Sequence, residues 1–316
     1  MSRLVAIVGP TAVGKSALAM RLAQLFDAEI VGADSRHVYR YVNIGTAKPT
    51  LEERSLIPHH LIDIVDPDED FSLAQYQHMA YEAIDDIHDR RKLPLLTGGS
   101  GLYVRSVVGG FRIPQVPPDA GLRQGLEAKA ECEGHLALHA ELEQVDPEAA
   151  ARIDPRNVRR VIRALEVYHT SGLRFSELQR RESRYETLTI GLTTTREDLY
   201  RRIDKRVDAM MHQGLVEEMR ELLDRGYSPD LPALSGLGYK QIATYLQGGG
   251  AVALDDVVQY IKHETHRFAR HQYAWFRLND KRINWFDVRN GSAGAVEDTV
   301  HRFLQHAVEA QGTGRT

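Results

Sequence analysis

Leu4 to Val8 is an unbroken apolar run, Ala17 to Phe26 repeats apolar residues at helical spacing, and Glu29 to Gly32 is short and β-branched. A strand apolar on both faces, then an amphipathic helix, then another strand describes a βαβ start and therefore a parallel sheet. Further on, Phe71 to Arg91 carries helical periodicity. Lys92 to Thr97 is a buried-strand candidate that runs into Gly98, Gly99 and Gly101, where the chain must turn tightly before another helix. Proline punctuation at Ile113 to Pro118 marks a boundary, and the following stretch is helical and charge-rich with little β-branched clustering. Thr187 to Thr193 alternates like a returning strand. Arg196 to Arg225, Tyr239 to Gln247 and Asp255 to Arg277 read as helices, Ile283 to Val288 as a last strand, and Gly248 to Gly250 as a loop ending a helix. No repeat of fixed period is present.

Composition narrows the class without fixing it. The chain has 316 residues, 42% of them apolar and 27% charged, which is ordinary for a globular protein. No apolar stretch approaches the roughly 20 residues of a membrane span, and the N-terminus opens on a strand without a signal peptide, so a soluble cytoplasmic protein with no membrane partner is expected. The one cysteine, Cys132, excludes an internal disulfide and any CxxC site. A net charge of −4 looks wrong for a nucleic-acid binder, but the mean conceals segregation: Asp63, Asp66, Asp68, Glu69 and Asp70 crowd early, and arginines crowd later.

The chemistry starts after the first strand. Gly9, Pro10, Thr11, Ala12, Val13, Gly14, Lys15 and Ser16 match GxxxxGK[ST] at every fixed position, after a strand and before a helix. Such a loop turns backbone N–H groups and a helix N-terminus toward an anion, adds the Lys15 charge, and offers the Ser16 hydroxyl to Mg²⁺. The expected fold is therefore α/β, a P-loop parallel-sheet core with an inserted helical subdomain: 1–116 as the first part of the core, 117–186 as the insertion, 187–316 as the completion. Nucleotide binding, ATP included, is the broad class this loop announces. Yet the later apolar strand ends in Thr97-Gly98-Gly99-Ser100, with no carboxylate where an NTPase or kinase usually holds its Mg²⁺ shell. Asp34 lies beyond the second strand, at the edge facing the same crevice, and reads either as a general base or as a turn aspartate.

At this point a family resemblance carries further than spacing. GPTAVGKS, ADSRHVYRYVNIGTAKPT (33–50), PHHLIDIVDP (58–67), LTGGSGLYV (96–104) and RALEVYHTSG (163–172) together closely resemble the tRNA dimethylallyltransferases, from the P-loop to about Arg277. The resemblance implies transfer of a dimethylallyl group from dimethylallyl diphosphate to the exocyclic amine of the adenosine 3′ of the anticodon, with the P-loop and Mg²⁺ cradling the leaving diphosphate. By matched motif, Asp34 is the base, Ser100 helps position the reacting groups, and Arg206 faces the diphosphate. From spacing alone, Arg206 belongs to a solvated helix, since Arg201, Arg202, Lys205 and Arg206 alternate with Glu197, Asp198 and Asp204.

The implied partner is the anticodon stem-loop of tRNA, bound by a monomer. Arg36, His37, Val38, Tyr39, Gly238, Tyr239 and Lys240 match segments that contact tRNA in the family, and Arg123, Arg159, Arg160 and Arg163 of the insertion are further candidates. Arginine and lysine clusters occur around 152–163, 196–206 and 262–282, although any one of them also suits a solvated face. The chain departs from the family pattern at His37, where a glutamine is common, and at His266 and His271 in Thr265-His266-Arg267-Phe268-Ala269-Arg270-His271-Gln272, where cations are common. Three other functions stay open: an adenylate isopentenyltransferase, which would not need the insertion; a small-molecule kinase; and a nucleotide-gated RNA-binding switch, which leaves Asp34 without a task.

Overall fold

The computed structural model describes residues 2–114, 116, 118–177, 182–249 and 252–312, with side chains described to residue 305. Pro117 and Gly250, parts of the expected boundary and of the expected glycine loop, lie outside them. The described strands β1 (Arg3–Val8), β2 (Ala28–Gly32), β3 (His59–His60), β4 (Leu93–Thr97), β5 (Glu186–Thr193) and β6 (Ile283–Asp287) form one parallel sheet in the order β3-β2-β4-β1-β5-β6. β1 lies between β4 and β5, which is why Leu4 to Val8 are all buried and the run is apolar on both faces.

Around the first strands run α1 (Lys15–Leu25), α2 (Leu51–Leu56), α3 (Leu73–Asp89) and α4 (Gly101–Val108). The chain then forms α5 (Ala120–Glu133), α6 (His135–Val145), α7 (Pro147–Arg152) and α8 (Val158–Ser171), and later α9 (Arg196–His212), α10 (Leu215–Asp224), α11 (Tyr239–Gln247), α12 (Leu254–Trp275) and α13 (Ala293–Gly312). Residues 109–183 make a compact unit of their own, and the segments before and after them make the other. The smaller unit closes over its own apolar cluster, in which Leu138, Leu142, Val161 and Leu165 are fully buried. Among the described residues no helix is long and apolar enough to cross a membrane.

Several expected elements differ in detail. The single helix read over Arg196 to Arg225 is two helices, α9 and α10, because Gly214 adopts φ +96°, a left-handed conformation that ends one helix and starts the next. The alternation read in Thr187 to Thr193 is not an alternation of exposure: Ile190, Gly191 and Leu192 are buried in succession, because β5 is flanked by β1 and β6.

Candidate active site

β2, β4 and β1 are neighbours and run the same way, so the loops that leave their carboxyl ends emerge side by side. From β1 comes the P-loop. Gly9 (φ +143°) has the Leu192 carbonyl oxygen 2.5 Å from where a Cβ would stand, so both its backbone and its surroundings demand glycine. Ala12 is also left-handed at φ +62°, a strained position of the kind that collects at ligand clamps. Helix α1 then begins with no side-chain cap and no acidic residue in its first turn, so its free N–H groups face the loop.

From β2 comes Asp34, and from β4 the turn at Gly98 and Gly99. The two loops are in contact: a Cβ on Gly98 would lie 1.9 Å from the Ala33 carbonyl oxygen. Ser100 fastens them, its Oγ accepting the Ser35 N–H at 2.9 Å and donating to Ser35 Oγ at 3.2 Å. Asp34 Oδ1 accepts the Arg36 N–H at 2.9 Å. Burial pushes the Asp34 carboxyl up, but His37, that N–H, Lys15 and Arg206 together hold it below the ordinary value, so it is a carboxylate at neutral pH.

One cavity of about 80 Å³ joins these parts. Thr11, Lys15, Ser16, Asp34, His37, Thr97, Gly98, Gly99, Arg206 and Gln272 line it, together with the apolar Ala19, Ile30 and Ile62. Asp34 is the single carboxylate in this lining, against Lys15 and Arg206, so the cavity suits an anion with an apolar extension. Lys15 Nζ donates to the carbonyls of Gly9 (3.0 Å) and Pro10 (2.8 Å). Burial and then Arg206 lower the Lys15 pKa to about 7, against the opposing pull of Asp34.

Arg206 reaches the cavity from α9 through the loop between β2 and β3. Its guanidinium donates to the Thr46 carbonyl at 3.0 Å, and His37 Nε2 donates to the same oxygen at 3.2 Å. That loop is held rigidly. Glu218 of α10 accepts the N–H groups of Asn43 (3.2 Å) and Ile44 (3.0 Å), and the Tyr239 hydroxyl accepts the Gly45 N–H (3.0 Å) and donates to Glu218 (2.5 Å). Lys48 Nζ, almost fully buried, binds the Tyr39 carbonyl, Asn43 Oδ1 and Asp63 Oδ1 at 2.7 to 2.9 Å.

Residues 37–279 match the family model described as IPP transferase. The chain is 54% identical to the tRNA dimethylallyltransferase of Thermomicrobium roseum over 321 aligned residues, covering 99% of this chain and 97% of that one. The chain belongs to the IPP transferase family. Among solved structures it is similar to the tRNA isopentenylpyrophosphate transferase of Bacillus halodurans, at 40% identity and TM-score 0.73 over 99% of this chain and 100% of that one. It is also similar to a eukaryotic dimethylallyltransferase acting on tRNA, at 26% identity and TM-score 0.81 over 97% and 80% of the two chains.

For this member of the IPP transferase family the structure sorts the expected site residues. Gly9 to Ser16, Asp34, Ser100 and Arg206 all lie at the three-loop junction or its cavity. Arg36, instead of standing free, donates to the Pro232 carbonyl and, at 3.1 Å, to Ser235 Oγ. Lys240 is exposed, but Val38 and Tyr39 are buried. Tyr239, expected on the RNA-facing surface, has 0% exposure and both functions of its hydroxyl occupied by Gly45 and Glu218. It is therefore a strut for the loop that carries Thr46, and the reading of Tyr239 as a direct RNA contact is corrected. Arg123 and Arg163 converge on the wholly buried Glu166, at 2.8 and 2.5 Å. Arg159 and Arg160 are exposed. His266, one of the family departures, donates to the Asp204 carboxylate at 2.8 Å and stacks on Tyr200 at 3.9 Å between ring centres.

Gln272 carries a function that the sequence quoted but did not assign. Only 4% exposed, its Oε1 accepts the Thr11 N–H of the P-loop at 2.7 Å, and its Nε2 donates to the Gly99 carbonyl at 3.0 Å. A helix from late in the chain thus sets the distance between two loops of the sheet. Gln272→Ala is expected to lower kcat/KM for the donor about tenfold, the order of one or two such bonds, with a small change in Tm. Unchanged donor kinetics would reduce the side chain to a space filler.

Proposed function

We propose that the protein transfers the dimethylallyl group of dimethylallyl diphosphate to the exocyclic N6 amine of the adenosine immediately 3′ of the anticodon in tRNA, releasing diphosphate. The observation that carries this reading is the cavity in which the P-loop lysine and Arg206 face one ionised carboxylate, Asp34. The amine nitrogen bonds to C1 of the allyl group as the C1–O bond breaks, the electron pair leaves with the diphosphate, and Asp34 accepts the amine proton. An aromatic exocyclic amine is a weak nucleophile, so a carboxylate drawing on its hydrogen helps most as that bond forms. Lys15, Arg206 and the N–H groups at the start of α1 stabilise the charge that grows on the departing oxygen.

Ser16, exposed at the start of α1 and lining the cavity, is the residue to hold magnesium. No group of three His, Cys, Asp or Glu side chains among the described residues is arranged to hold a metal, and this donor set fits an ion that takes few protein ligands and completes its shell with phosphate oxygens and water. When bound, magnesium neutralises charge on the diphosphate.

For tRNA, we assign the phosphate contacts of the smaller unit to Arg159 and Arg160, whereas Arg123 and Arg163 compensate the buried Glu166. Replacing Arg159 and Arg160 together by alanine is expected to weaken tRNA binding and to flatten its logarithmic salt dependence by up to about one unit per lost contact. An unchanged slope would return both to a solvated face. The working unit in this reading is a monomer acting in the cytoplasm. The decisive test of the function is mass spectrometry of tRNA incubated with the protein, magnesium and dimethylallyl diphosphate. Prenylated adenosine beside the anticodon is the expected product, and unmodified tRNA refutes the reading.

A further inference from the structure

Helix α12 contributes a second residue to the cavity. Phe268 stands one turn before Gln272, so both lie on the same face of the helix. Gln272 is drawn inward and nearly buried, but Phe268 is 45% exposed while still lining the cavity. Of the other apolar residues of the lining, Ala19, Ile30 and Ile62 are buried, whereas the small Ala47 and Pro49 sit toward the rim, exposed and half-buried. The cavity therefore has an enclosed apolar part and a single exposed phenyl ring, and Phe268 is the only Phe, Tyr or Trp among its described lining residues.

The two apolar parts suit different groups. A short allyl chain belongs against the enclosed Ile30 and Ile62. An exposed aromatic face in the same cavity as an ionised carboxylate suits a flat, partly polar ring that arrives from solvent, because a nucleobase offers a π-face to any aromatic side chain and keeps its edge free for hydrogen bonds. A base taken out of its stack also needs a replacement surface.

We propose that Phe268 is the stacking platform for the acceptor adenine, a positioning residue that holds the exocyclic amine toward Asp34 while the donor lies beneath. This rests on the functional reading above and adds to it the group that holds the base. The ring supplies no proton and no charge. Its effect is expressed in how the acceptor is held, so it separates from that of Lys15, which acts on the donor.

The test is a set of four variants, Phe268→Ala, Phe268→Leu, Phe268→Tyr and Phe268→Trp, assayed with anticodon stem-loop RNA. Phe268→Ala and Phe268→Leu are expected to lower kcat/KM for the RNA by about ten- to a hundredfold, the range measured for lost base–aromatic stacking, with donor KM changed less than about twofold. The tyrosine and tryptophan variants should stay within about threefold of the parent, because each retains a π-face. A stem-loop with 2-aminopurine at the acceptor position supplies a direct readout: its fluorescence should be quenched on the parent and on Phe268→Trp, and less so on Phe268→Leu. Full activity in Phe268→Leu would make the ring a mere apolar filler. A raised donor KM with unchanged RNA kinetics would place it on the prenyl chain. Either result overturns the platform. Mass spectrometry of the parent's product keeps the two readings apart: a prenyl group on another nucleoside overturns the acceptor assignment, whereas the correct product with an indifferent Phe268→Ala overturns only the platform.

Discussion

Asp34→Asn is expected to slow single-turnover prenyl transfer by roughly 10²- to 10⁴-fold while both substrates still bind. The substitution keeps the size of the side chain and an oxygen to accept the Arg36 N–H, so the turn after β2 survives. It removes the one negative charge of the cavity lining and the ability to take a proton. Because the surrounding cations hold the carboxyl below its ordinary range, the parent's single-turnover rate should not fall on the acid side until the pH drops below that range. The measurement is single-turnover transfer at saturating RNA and donor, with separate binding constants for each. Turnover within a few fold of the parent would leave Asp34 as a turn residue, and lost RNA binding would make its role structural.

Lys15→Ala should cost about a hundredfold in rate, on the order of 3 kcal/mol of transition-state stabilisation, and should weaken inorganic pyrophosphate as a competitor of the donor. A second signature follows from the buried amine. In the free protein its pKa is lowered to about 7, and a bound diphosphate favours the charged form, so binding takes up a proton once the free lysine is neutral. Donor affinity should therefore be level below about pH 7 and fall above it, by up to about tenfold per unit. The Lys15→Ala variant should lose this part of the pH dependence, which isolates it from the ionisation of the diphosphate itself. Near-normal turnover in the variant would refute the placement of the diphosphate.

The parts legible in the sequence were those encoded over short stretches. The P-loop, β1 and the glycine turn after β4 declare themselves because each is a run of neighbouring residues with one backbone requirement. Pairings between distant residues were not legible. Tyr239 matched a motif, yet its burial depends on Gly45, where a Cβ would come 2.5 Å from its ring, and on Glu218. Arg163 stands one helical turn before Glu166, a spacing that is legible, but nothing local shows that Arg123, 43 residues away, reaches the same carboxylate. Gln272 is separated from Thr11 by most of the chain. Three short or weakly marked elements were also passed over: α2 has six residues and none of them is buried, β3 has only two residues, and α13 starts in a Gly-Ser-Ala-Gly stretch, although its Val296 and Val300 are fully buried.

The order of the sheet also governs how the polypeptide acquires its structure during translation. β1 obtains one neighbour from β4, but the other is β5, which follows the whole of residues 109–183. At ribosomal speeds that interval lasts roughly 4 to 15 s. Throughout it, one edge of the most apolar strand is open, a template for pairing with another nascent chain. The helices made meanwhile have their own core and can fold without delay. Yield on synthesis should thus depend on how well that edge is shielded by chaperones, and slowing translation between codons 109 and 183 should increase aggregation more than slowing it after β5.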